Sequence, residues 1–490
     1  MAEILPPPGT PQAHASDAPE YVAERADAVA EATGAPVVVD PDTRTQFRTR
    51  ADRPDGRPHI VIVGGGFAGL ELTKRLRRLR AHVTLVDQHN YHTFQPLLYQ
   101  VGTGGLEADS IAYPLRKVFR KDDNVHIRLA CVREVDTANK VLRTTLHDIH
   151  YDYLVIATGS TTNFYNFEPI KDQLLTLKTV PDALNIRSYV LQNFEKAVAE
   201  RNPDYFQELT NIAIVGGGAT GLELAGALGE MRRYILPLDY PELDLGAMRI
   251  VLFQSGPKLL AGMSEHASEK ALEYIQGLGI EVRLNDRVTE YDGDVLRTKN
   301  GFEMRTDTVI WTAGVRANIP DGLPEEATAT GRIGVDVYNR VKGCADVFAV
   351  GDVCEMATED NPRGHPMLAP VAQQQGQLLA KNLRALLAGK DMRPFVYNDK
   401  GTMATIGRNR AVVDLPNFKF AGFFAWLTWM LVHVVLLVGF RNKLAALTDW
   451  TINYFTFDSP MRLIIRTFRP EGVGTSNSVR GVHDPGGAGA

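Results

Sequence analysis

Residues 59–69 read HIVIVGGGFAG, a β-branched run that enters a G-x-G-x-x-G turn and then a helical stretch. Residues 212–221 read IAIVGGGATG and repeat that order further along the chain. In this motif the first glycine makes the tight turn, the second lets the backbone approach a pyrophosphate, and the third lets helix and strand pack closely. The helix N-terminus that follows faces the anion. Two copies predict an α/β fold with two Rossmann-like domains, each binding one dinucleotide.

The strand after each turn ends in a side chain that can reach a ribose. Asp87 follows Gly64 at close to the spacing of about 20 residues at which a carboxylate binds ribose hydroxyls. The equivalent strand at residues 249–253 ends in Gln254. An amide also hydrogen-bonds a ribose but brings no charge to repel a 2′-phosphate. The second site is therefore predicted to accept NADPH as well as NADH.

The composition is typical of a globular protein that does not bind nucleic acid. The 490 residues are 44% apolar and 23% charged, with a net charge of −5. The three cysteines, Cys131, Cys344 and Cys354, form no C-x-x-C pair. We interpret them as buried or incidental thiols of a reducing compartment, and we predict neither a metal site nor an adjacent redox disulfide.

Composition also predicts the domain boundaries. Residues 1–57 are rich in Pro, Ala and Asp, carry no secretory signal and are predicted to form a flexible extension, with room for a short helix at 21–32. The order of the motifs predicts the remaining units: a first dinucleotide-binding domain that begins at 58–164, a second at 165–330, a further unit at 331–403, a membrane-anchoring segment at 404–470 and a disordered tail at 471–490.

A long apolar stretch stands near the C-terminus. Residues 420–440 read FAGFFAWLTWMLVHVVLLVGF and contain no Asp, Glu, Lys or Arg. As one helix this stretch would be roughly 31 Å long, enough to cross a bilayer. Trp426 and Trp429 suit a membrane interface, and the basic excess that follows suits anionic headgroups. Three interpretations are open: a buried core helix, a transmembrane span, and the favoured one, a monotopic anchor in one leaflet.

Several further segments resemble one enzyme family. They are residues 90–101 (NYHTFQPLLYQV), Ala157-Thr158-Gly159, Val350-Gly351-Asp352, residues 400–407 (KGTMATIG), Ala425-Trp426 with Trp429 and His433, and residues 439–443 (GFRNK). With the two glycine turns, they resemble the type II NADH:quinone oxidoreductases over about residues 58–470. These are single-subunit, non-pumping respiratory NADH dehydrogenases of the two-dinucleotide flavoprotein disulfide-reductase superfamily.

The resemblance implies that residues 331–403 complete the first domain, which is therefore discontinuous. It also implies which residues hold each dinucleotide. Non-covalent FAD would be held in the first domain by Gly64, Gly66, Phe67, Ala68, Gly69, Asp87, Gln95, Val132, Ala157, Thr158, Gly159, Gly351 and Asp352. NADH would be held in the second domain by Gly216, Gly218, Ala219, Thr220, Gly221, Gln254, Ala313 and Gly314. For Asp352 the alternative is a simple turn aspartate.

The resemblance also implies three residues of the reaction site. Glu223 matches a glutamate near the nicotinamide, although a solvated helix residue is the alternative. Gln374 and Lys400 match residues near the quinone, where a surface glutamine and a solvated lysine are the alternatives. The chain departs from the family pattern A-Q-x-A-x-Q, because Pro370 stands where the first glutamine is expected.

The implied activity has two halves, hydride transfer from NADH to flavin and then transfer of two electrons, with protons, to menaquinone or ubiquinone. We expect no proton pumping, a homodimer bound to lipid, and a peripheral or monotopic position on the cytoplasmic face of the cell inner membrane. A sulfide:quinone oxidoreductase is one alternative, but no cysteine falls between Thr158 and Gly216. A membrane-tethered redox sensor that binds dinucleotides without turnover is the other.

Overall fold

The computed structural model describes residues 55–359, 361–456, 461–464, 466–471 and 473. The predicted N-terminal extension, with its helix at 21–32, and the predicted C-terminal tail lie almost wholly outside the described residues. The strands are β1 His59–Val63, β2 His82–Asp87, β3 Tyr91–Thr93, β4 Ala112–Pro114, β5 Val125–Leu129, β6 Val132–Asp136, β7 Val141–Thr144, β8 Ile149–His150, β9 Tyr153–Ile156, β10 Ser160–Thr162, β11 Leu175–Thr176, β12 Ile212–Val215, β13 Ile250–Phe253, β14 Glu281–Arg283, β15 Val288–Tyr291, β16 Val295–Thr298, β17 Glu303–Arg305, β18 Thr308–Trp311, β19 Val315–Ala317, β20 Ile333–Gly334, β21 Val347–Ala349, β22 Cys354–Glu355, β23 Thr402–Thr405, β24 Ala411–Asp414 and β25 Lys419–Ala421.

The helices lie between these strands and after the last of them. They are α1 Phe67–Leu76, α2 Leu98–Gly102, α3 Ala108–Ile111, α4 Leu115–Val118, α5 Val180–Ala199, α6 Pro203–Thr210, α7 Ala219–Glu230, α8 Leu236–Asp239, α9 Glu265–Gly277, α10 Glu325–Thr328, α11 Ala369–Leu387, α12 Phe423–Leu436 and α13 Phe440–Thr456. Short 3₁₀ helices occupy Gln95–Leu97, Tyr165–Gln173 and Gly351–Val353, and a π-helical turn occupies Met231–Ile235.

The strand before the first glycine turn is the centre of a five-stranded parallel sheet, in the order β21-β9-β1-β2-β5. Successive side chains of β1 face opposite sides of the sheet. Ile60 and Ile62 pack against α1 and α11, whereas Val61 and Val63 pack against the antiparallel strands β6, β7 and β8. Because β21 joins from far along the chain, this first unit is discontinuous, as predicted.

The strand before the second glycine turn holds the same position in a second sheet. This sheet is also parallel, in the order β11-β18-β12-β13-β14, and all four residues of β12 are buried. Three antiparallel strands, β15 to β17, accompany it as β6 to β8 accompany the first. Both glycine turns leave a central strand at its carboxyl end, where open α/β sheets bind ligands. The predicted α/β fold with two Rossmann-like units is confirmed.

The C-terminal apolar stretch is not one helix. Its first residues extend β25, α12 ends at Leu436, and α13 begins at Phe440 after a break at which Gly439 has a φ of +88°. No helix in the described parts of the chain is long and apolar enough to cross a membrane. The expectation of a single 31 Å helix is therefore wrong, because an extended residue at Leu437 and left-handed backbone at Gly439 interrupt it.

The buried-core interpretation of this stretch is wrong as well. Only one stripe of α12, formed by Ala425, Trp429 and His433, is buried. The opposite face is exposed, with 74% of Phe424 and 68% of Val435 accessible to solvent. The segment thus forms a pair of amphipathic helices that pack on the protein along one side.

Candidate functional site

The first glycine turn accepts only glycine at its key positions. Gly64 has a φ of +102°, and a Cβ atom there would lie 2.3 Å from the carbonyl oxygen of Ala157. A Cβ atom on Gly69 would lie 1.8 Å from the carbonyl oxygen of Gly64. Gly66, the N-cap of α1, has no capping side chain, and a Cβ atom on it would meet open space. The amide groups that begin α1 are thus presented to an anion.

The second turn repeats this geometry. Gly216 has a φ of +119°, and a Cβ atom on Gly221 would lie 2.0 Å from the carbonyl oxygen of Gly216. Gly218 caps α7 without a side chain and faces open space. Ala313 lies against the turn, because its Cα would be 2.7 Å from a Cβ atom on Gly216. Ala219 and Thr220 begin α7 at the mouth of this site, and Gly314 lies against the Tyr165 hydroxyl.

Asp87 and Gln254 occupy equivalent places in the two units. The backbone N–H of Gly65 donates to Asp87 Oδ2 at 2.5 Å, and that of Gly217 donates to Gln254 Oε1 at 2.9 Å. Burial raises the pKa of Asp87, and the Gly65 and His89 amides partly oppose the shift. Each side chain is fixed by the residue between the first and second glycines of its motif. The unusual glutamine is therefore the structural counterpart of the acid.

The other residues matched to FAD converge from separate parts of the chain. A Cβ atom on Gly351 would lie 3.3 Å from Ala68 Cβ, so the first and last motifs touch. Phe67 packs edge-on against the rings of His92 and Phe94. The remaining matched residues are Gln95, whose amide reaches the carbonyl oxygen of Lys178 at 3.4 Å, Val132, which begins β6, and Thr158, whose hydroxyl donates to the carbonyl oxygen of Asn318 at 2.5 Å.

Asp352 is part of a hydrogen-bonded chain that the sequence did not reveal. Ser160 Oγ donates to Asp352 Oδ2 at 2.7 Å, and Lys178 Nζ donates to Ser160 Oγ at 2.9 Å. Gly351, which precedes the aspartate, donates its backbone N–H to Gln375 Oε1 at 2.7 Å. Ser160 directly follows the Thr158-Gly159 pair. Its position beside this motif was the only feature of the sequence that could have predicted a role for it.

Glu223 lies on the face of α7 that packs against the C-terminal segment. Only 8% of it is exposed, so the alternative of a solvated helix residue is wrong. The backbone N–H of Thr405 approaches Glu223 Oε1 at 3.4 Å. Burial raises the carboxyl pKa to about 8, although the Thr405 amide and the Trp429 indole oppose the shift.

Gln374 joins α11 to the segment before Lys400. Its amide nitrogen donates to the carbonyl oxygen of Asn398 at 2.9 Å, and its oxygen accepts from the Asn398 backbone N–H at 3.0 Å. Lys400 itself is exposed. A quinone would compete with the Asn398 backbone for the glutamine. The two residues matched to the quinone site are thus linked through a short segment of backbone.

A cavity of about 590 Å³ lies between α1, α11 and the link from α12 to α13. Its lining includes Phe67, His92, Gln373, Gln377, Leu437 and Phe440. Gln373, rather than its neighbour Gln374, therefore faces the large cavity. Sequence reasoning missed Gln373 because three glutamines stand in a row, and only the helical face separates them.

His92, in the same cavity wall, is uncharged at neutral pH. Burial lowers its pKa to about 4. Its Nδ1 lies 2.9 Å from the carbonyl oxygen of Gly65, which can only accept, so Nδ1 carries the proton. A smaller cavity of about 140 Å³ lies between α7 and the C-terminal helices, lined by the aromatic rings of Tyr99, Trp426, Trp429, Trp450 and Tyr454.

An apolar face borders the mouth of the large cavity. It consists of exposed side chains on α12 and α13: Phe423, Phe424, Leu427, Leu431, Val435, Leu436, Phe440, Leu444, Leu447, Ile452 and Phe455. Arg441 and Lys443 lie in the first turn of α13, just after the break between the two helices. At this break, Val435, Leu436 and Phe440 belong both to the face and to the cavity lining. An exposed patch of this extent marks an interaction surface.

The cysteines carry no sign of redox chemistry. All three are free thiols. Cys354 is buried, and burial raises its pKa to about 12, so the thiol stays protonated and a poor nucleophile. This environment does not suit the reactive cysteine pair that the sulfide:quinone alternative requires.

Two parallel sheets with paired glycine turns define the class of two-dinucleotide oxidoreductases. In agreement, residues 58–376 match the family "Pyridine nucleotide-disulphide oxidoreductase", and residues 400–457 match the "NDH2 C-terminal domain". The chain is 32% identical to a type II NADH:quinone oxidoreductase of Mycobacterium tuberculosis, over 82% of this chain and 89% of that protein. It is also 32% identical to the Haemophilus influenzae type II NADH:quinone oxidoreductase, over 73% and 87%. The chain belongs to the type II NADH:quinone oxidoreductase family.

Solved structures agree on the fold. NDH2 from Plasmodium falciparum in complex with NADH superposes with a TM-score of 0.77 at 20% identity, covering 84% of this chain and all of that one. The sulfide:quinone oxidoreductase of Aquifex aeolicus superposes with a TM-score of 0.62 at 18% identity, covering 81% and 95%. NADH:quinone and sulfide:quinone oxidoreductases thus share this architecture. The fold alone therefore does not distinguish the two activities, and the residues of the site must do so.

Proposed function

We propose that this protein is a membrane-associated, FAD-dependent enzyme that passes electrons from NADH to a membrane quinone without pumping protons. The observation that supports the proposal is that a large cavity lies between the first glycine-turn helix and an exposed apolar surface. The large cavity lies against α1, the helix that begins at the first glycine turn, and its mouth is the exposed apolar face of α12 and α13. A dinucleotide site and an apolar entrance therefore share one wall, as an enzyme needs when it links a soluble donor to a lipid-soluble acceptor.

The residues of the first turn fit FAD. The uncapped start of α1 suits a pyrophosphate, Asp87 suits a ribose, and Asp352 can accept hydrogen bonds from the hydroxyl groups of the ribityl chain. When bound, FAD supplies the group that accepts hydride from NADH and donates two electrons to quinone. The work of the protein is to hold the two substrates against it and to keep water away.

The second turn suits NADH and, in addition, NADPH. Its uncapped helix start suits the pyrophosphate, and Gln254 brings no negative charge to the ribose. Lys258, which could otherwise attract a 2′-phosphate, is paired with Glu265 at 3.0 Å. Tolerance of NADPH therefore follows from the missing carboxylate more than from an added cation.

The large cavity supplies candidate donors for a quinone. Gln373 presents an amide, and Lys74 and Lys443 lie in the same lining. Burial lowers the pKa of Lys74, which makes this ammonium group a better proton donor than an ordinary lysine. Gln374, on α11, and Lys400, just before β23, remain part of the proposed quinone site. Donors aimed at a carbonyl oxygen stabilise the charge that develops on reduction.

The membrane part of the proposal rests on the apolar face and its flanking cations. Two amphipathic helices of this kind lie in one leaflet, and basic side chains beside them attract anionic lipid. Such an anchor offers no proton path across the bilayer. The cytoplasmic face of the inner membrane, and a homodimer, belong to the same proposal.

The test is a flavin colour assay on the purified holoenzyme. Adding NADH without quinone should bleach the yellow absorbance, and adding a menaquinone or ubiquinone analogue should restore it over many cycles. A redox sensor would bleach slowly and fail to turn over. Bleaching by sulfide but not by NADH would favour the sulfide:quinone alternative and contradict the proposal.

A further inference from the structure

Lys178 stands where the two dinucleotide units meet and has no role in the activity described so far. It lies between β11, an edge strand of the second sheet, and α5, yet its side chain reaches a residue of β10. Its side chain does not run into solvent with the other surface lysines. Instead Nζ donates to Ser160 Oγ at 2.9 Å, directly after the Thr158-Gly159 pair.

The local backbone fixes the direction of this side chain. The N–H groups of Lys178 and Thr179 both donate to Asp182 Oδ2 at 2.9 Å, and Thr179 in return accepts from the Asp182 backbone. This reciprocal cap holds the start of α5. The carbonyl oxygen of Lys178 also accepts from Gln95. The lysine is therefore held at its backbone from two sides.

The charge is desolvated and only indirectly paired. Burial lowers the pKa of Lys178, and the Asp352 carboxylate opposes that shift. The hydroxyl of Ser160 separates the ammonium group from that carboxylate. An ammonium group has three donors, and Ser160 takes one of them. Ser160 and Asp352, with the first glycine turn, form what we call the cofactor cradle. The Lys178 ammonium group beside this cradle still has hydrogen-bond donors and an unscreened positive charge that can act on a further partner.

We infer that Lys178 raises the reduction potential of the bound flavin, by holding a fixed positive charge beside Ser160 and Asp352. Hydride brings two electrons and one proton, so the cofactor gains one negative charge as NADH becomes NAD⁺. A nearby desolvated cation favours the more negative form. The inference rests on the proposed function only in that FAD occupies the first turn.

The alternative is that Lys178 merely holds Asp352 in place. That role would stabilise oxidised and reduced FAD equally, so losing it would weaken binding of both and leave the potential unchanged. An electrostatic role changes the ratio of the two affinities. The reduction potential therefore separates the two explanations, whereas enzyme activity would not.

The experiment measures the flavin midpoint potential and the dissociation constant for sulfite in full-length holoprotein. Sulfite adds to oxidised flavin and leaves a negative charge, so it reports the same field without NADH or quinone. For Lys178→Met we expect at least a tenfold rise in the sulfite dissociation constant, and a potential more negative by at least about 30 mV, the two-electron equivalent of tenfold. Lys178→Arg should stay near the parent value.

Lys196→Met is the matched control. Lys196 is an exposed lysine on α5 that bonds Asn193 and lies over the Tyr189 ring, away from the cradle. Its loss should leave both readings unchanged. Should Lys178→Met not fold, Lys178→Gln removes the charge at similar length. An unchanged potential in a folded, FAD-loaded variant overturns the inference, as does a folded variant that cannot take up oxidised FAD. A parent protein that binds no FAD would instead overturn the proposed function.

Discussion

At the scale of single residues, Gln254 makes the clearest prediction about substrate choice. It accepts the same amide hydrogen bond as Asp87 does in the first unit, but without charge. Gln254→Glu keeps the acceptor and adds a charge that a 2′-phosphate must face, so NADPH oxidation should fall about tenfold relative to NADH oxidation. Steady-state kcat/KM for the two nucleotides measures this. Gln254→Ala, which loses the acceptor only, should depress both alike. A parent without NADPH activity would refute the idea.

Glu223 predicts a specific pH dependence of stability. Its pKa is about 8 in the folded chain and 4.5 when unperturbed, so between these values the unfolded chain releases a proton that the folded chain keeps. The free energy of unfolding therefore falls as pH rises from about 4.5 to about 8. Glu223→Gln should remove this pH dependence. The free energy of unfolding of the variant, relative to that of the parent, should therefore increase across that pH range.

Urea unfolding of the two proteins at several pH values in this range measures the difference. Glu269→Gln, on an exposed position of α9, is the control and should follow the parent. A constant offset between Glu223→Gln and the parent at every pH would show that the folded carboxyl is already ionised.

At the scale of elements, the positions of Gln373 and Gln374 on α11, and of Lys400 before β23, lead to a prediction about the quinone half-reaction. Gln373→Leu, Gln374→Leu and Lys400→Met should each slow reoxidation of the reduced flavin by quinone, by about ten- to a thousandfold, because each removes a polar donor. Reduction by NADH should remain nearly unchanged. Stopped-flow recording of the two halves separates these rates.

The hydrogen bonds between Gln374 and the Asn398 backbone offer an alternative, structural explanation for an effect of Gln374→Leu. If this glutamine only joins α11 to Asn398, its loss removes two hydrogen bonds, each worth about 0.5–1.5 kcal/mol, and lowers the Tm. Both half-reactions would then slow together in Gln374→Leu. That outcome would leave Gln373 as the amide of the quinone cavity.

The pair α12 and α13 predicts how the protein meets the membrane. Deleting everything from Phe420 would remove Trp429, a buried residue beside Glu223, and would therefore disturb the core as well as the surface. A single charge introduced on the apolar face is a more specific change. Leu431 is 58% exposed on the apolar face. Burying a leucine contributes roughly 1.5–3 kcal/mol, so Leu431→Glu should lower partitioning to vesicles about tenfold or more.

Vesicle co-sedimentation with anionic lipid measures this partitioning. Leu146→Glu is a matched control, because Leu146 is also 58% exposed but lies in the turn between β7 and β8. An equal loss in both variants, or no loss in either, would show that the membrane contact lies elsewhere. Flavin binding should survive in both.

At the scale of the whole molecule, two similar units share one architecture and differ in what covers them. In each, a central strand precedes the glycine turn, a parallel neighbour leads to the side chain that accepts the turn's amide hydrogen bond, and three antiparallel strands accompany the sheet. The C-terminal helices close over α7 of the second unit through Trp429 and against α1 of the first through the large cavity. One short segment thus contacts the surroundings of both dinucleotide sites.

The sequence by itself determined the features that local geometry controls. The glycine turns could be read directly, because the steric clash that forbids a side chain at Gly64 or Gly69 involves backbone within the same short motif or its adjacent strand. The counterparts Asp87 and Gln254 followed from a fixed spacing on the next strand. The composition of residues 420–440 also predicts a membrane contact, which stays a prediction.

Only the tertiary structure decided which side chains meet. Ser160 and Asp352 are 192 positions apart, and their hydrogen bond exists because β21 joins the sheet that contains β9. The burial of Glu223, the choice of Gln373 over Gln374 for the cavity, and the break at Gly439 likewise depend on what packs against each element. Periodicity and composition describe a segment's own preferences. Burial and partners are set by segments far away in the chain, and no local pattern encodes them.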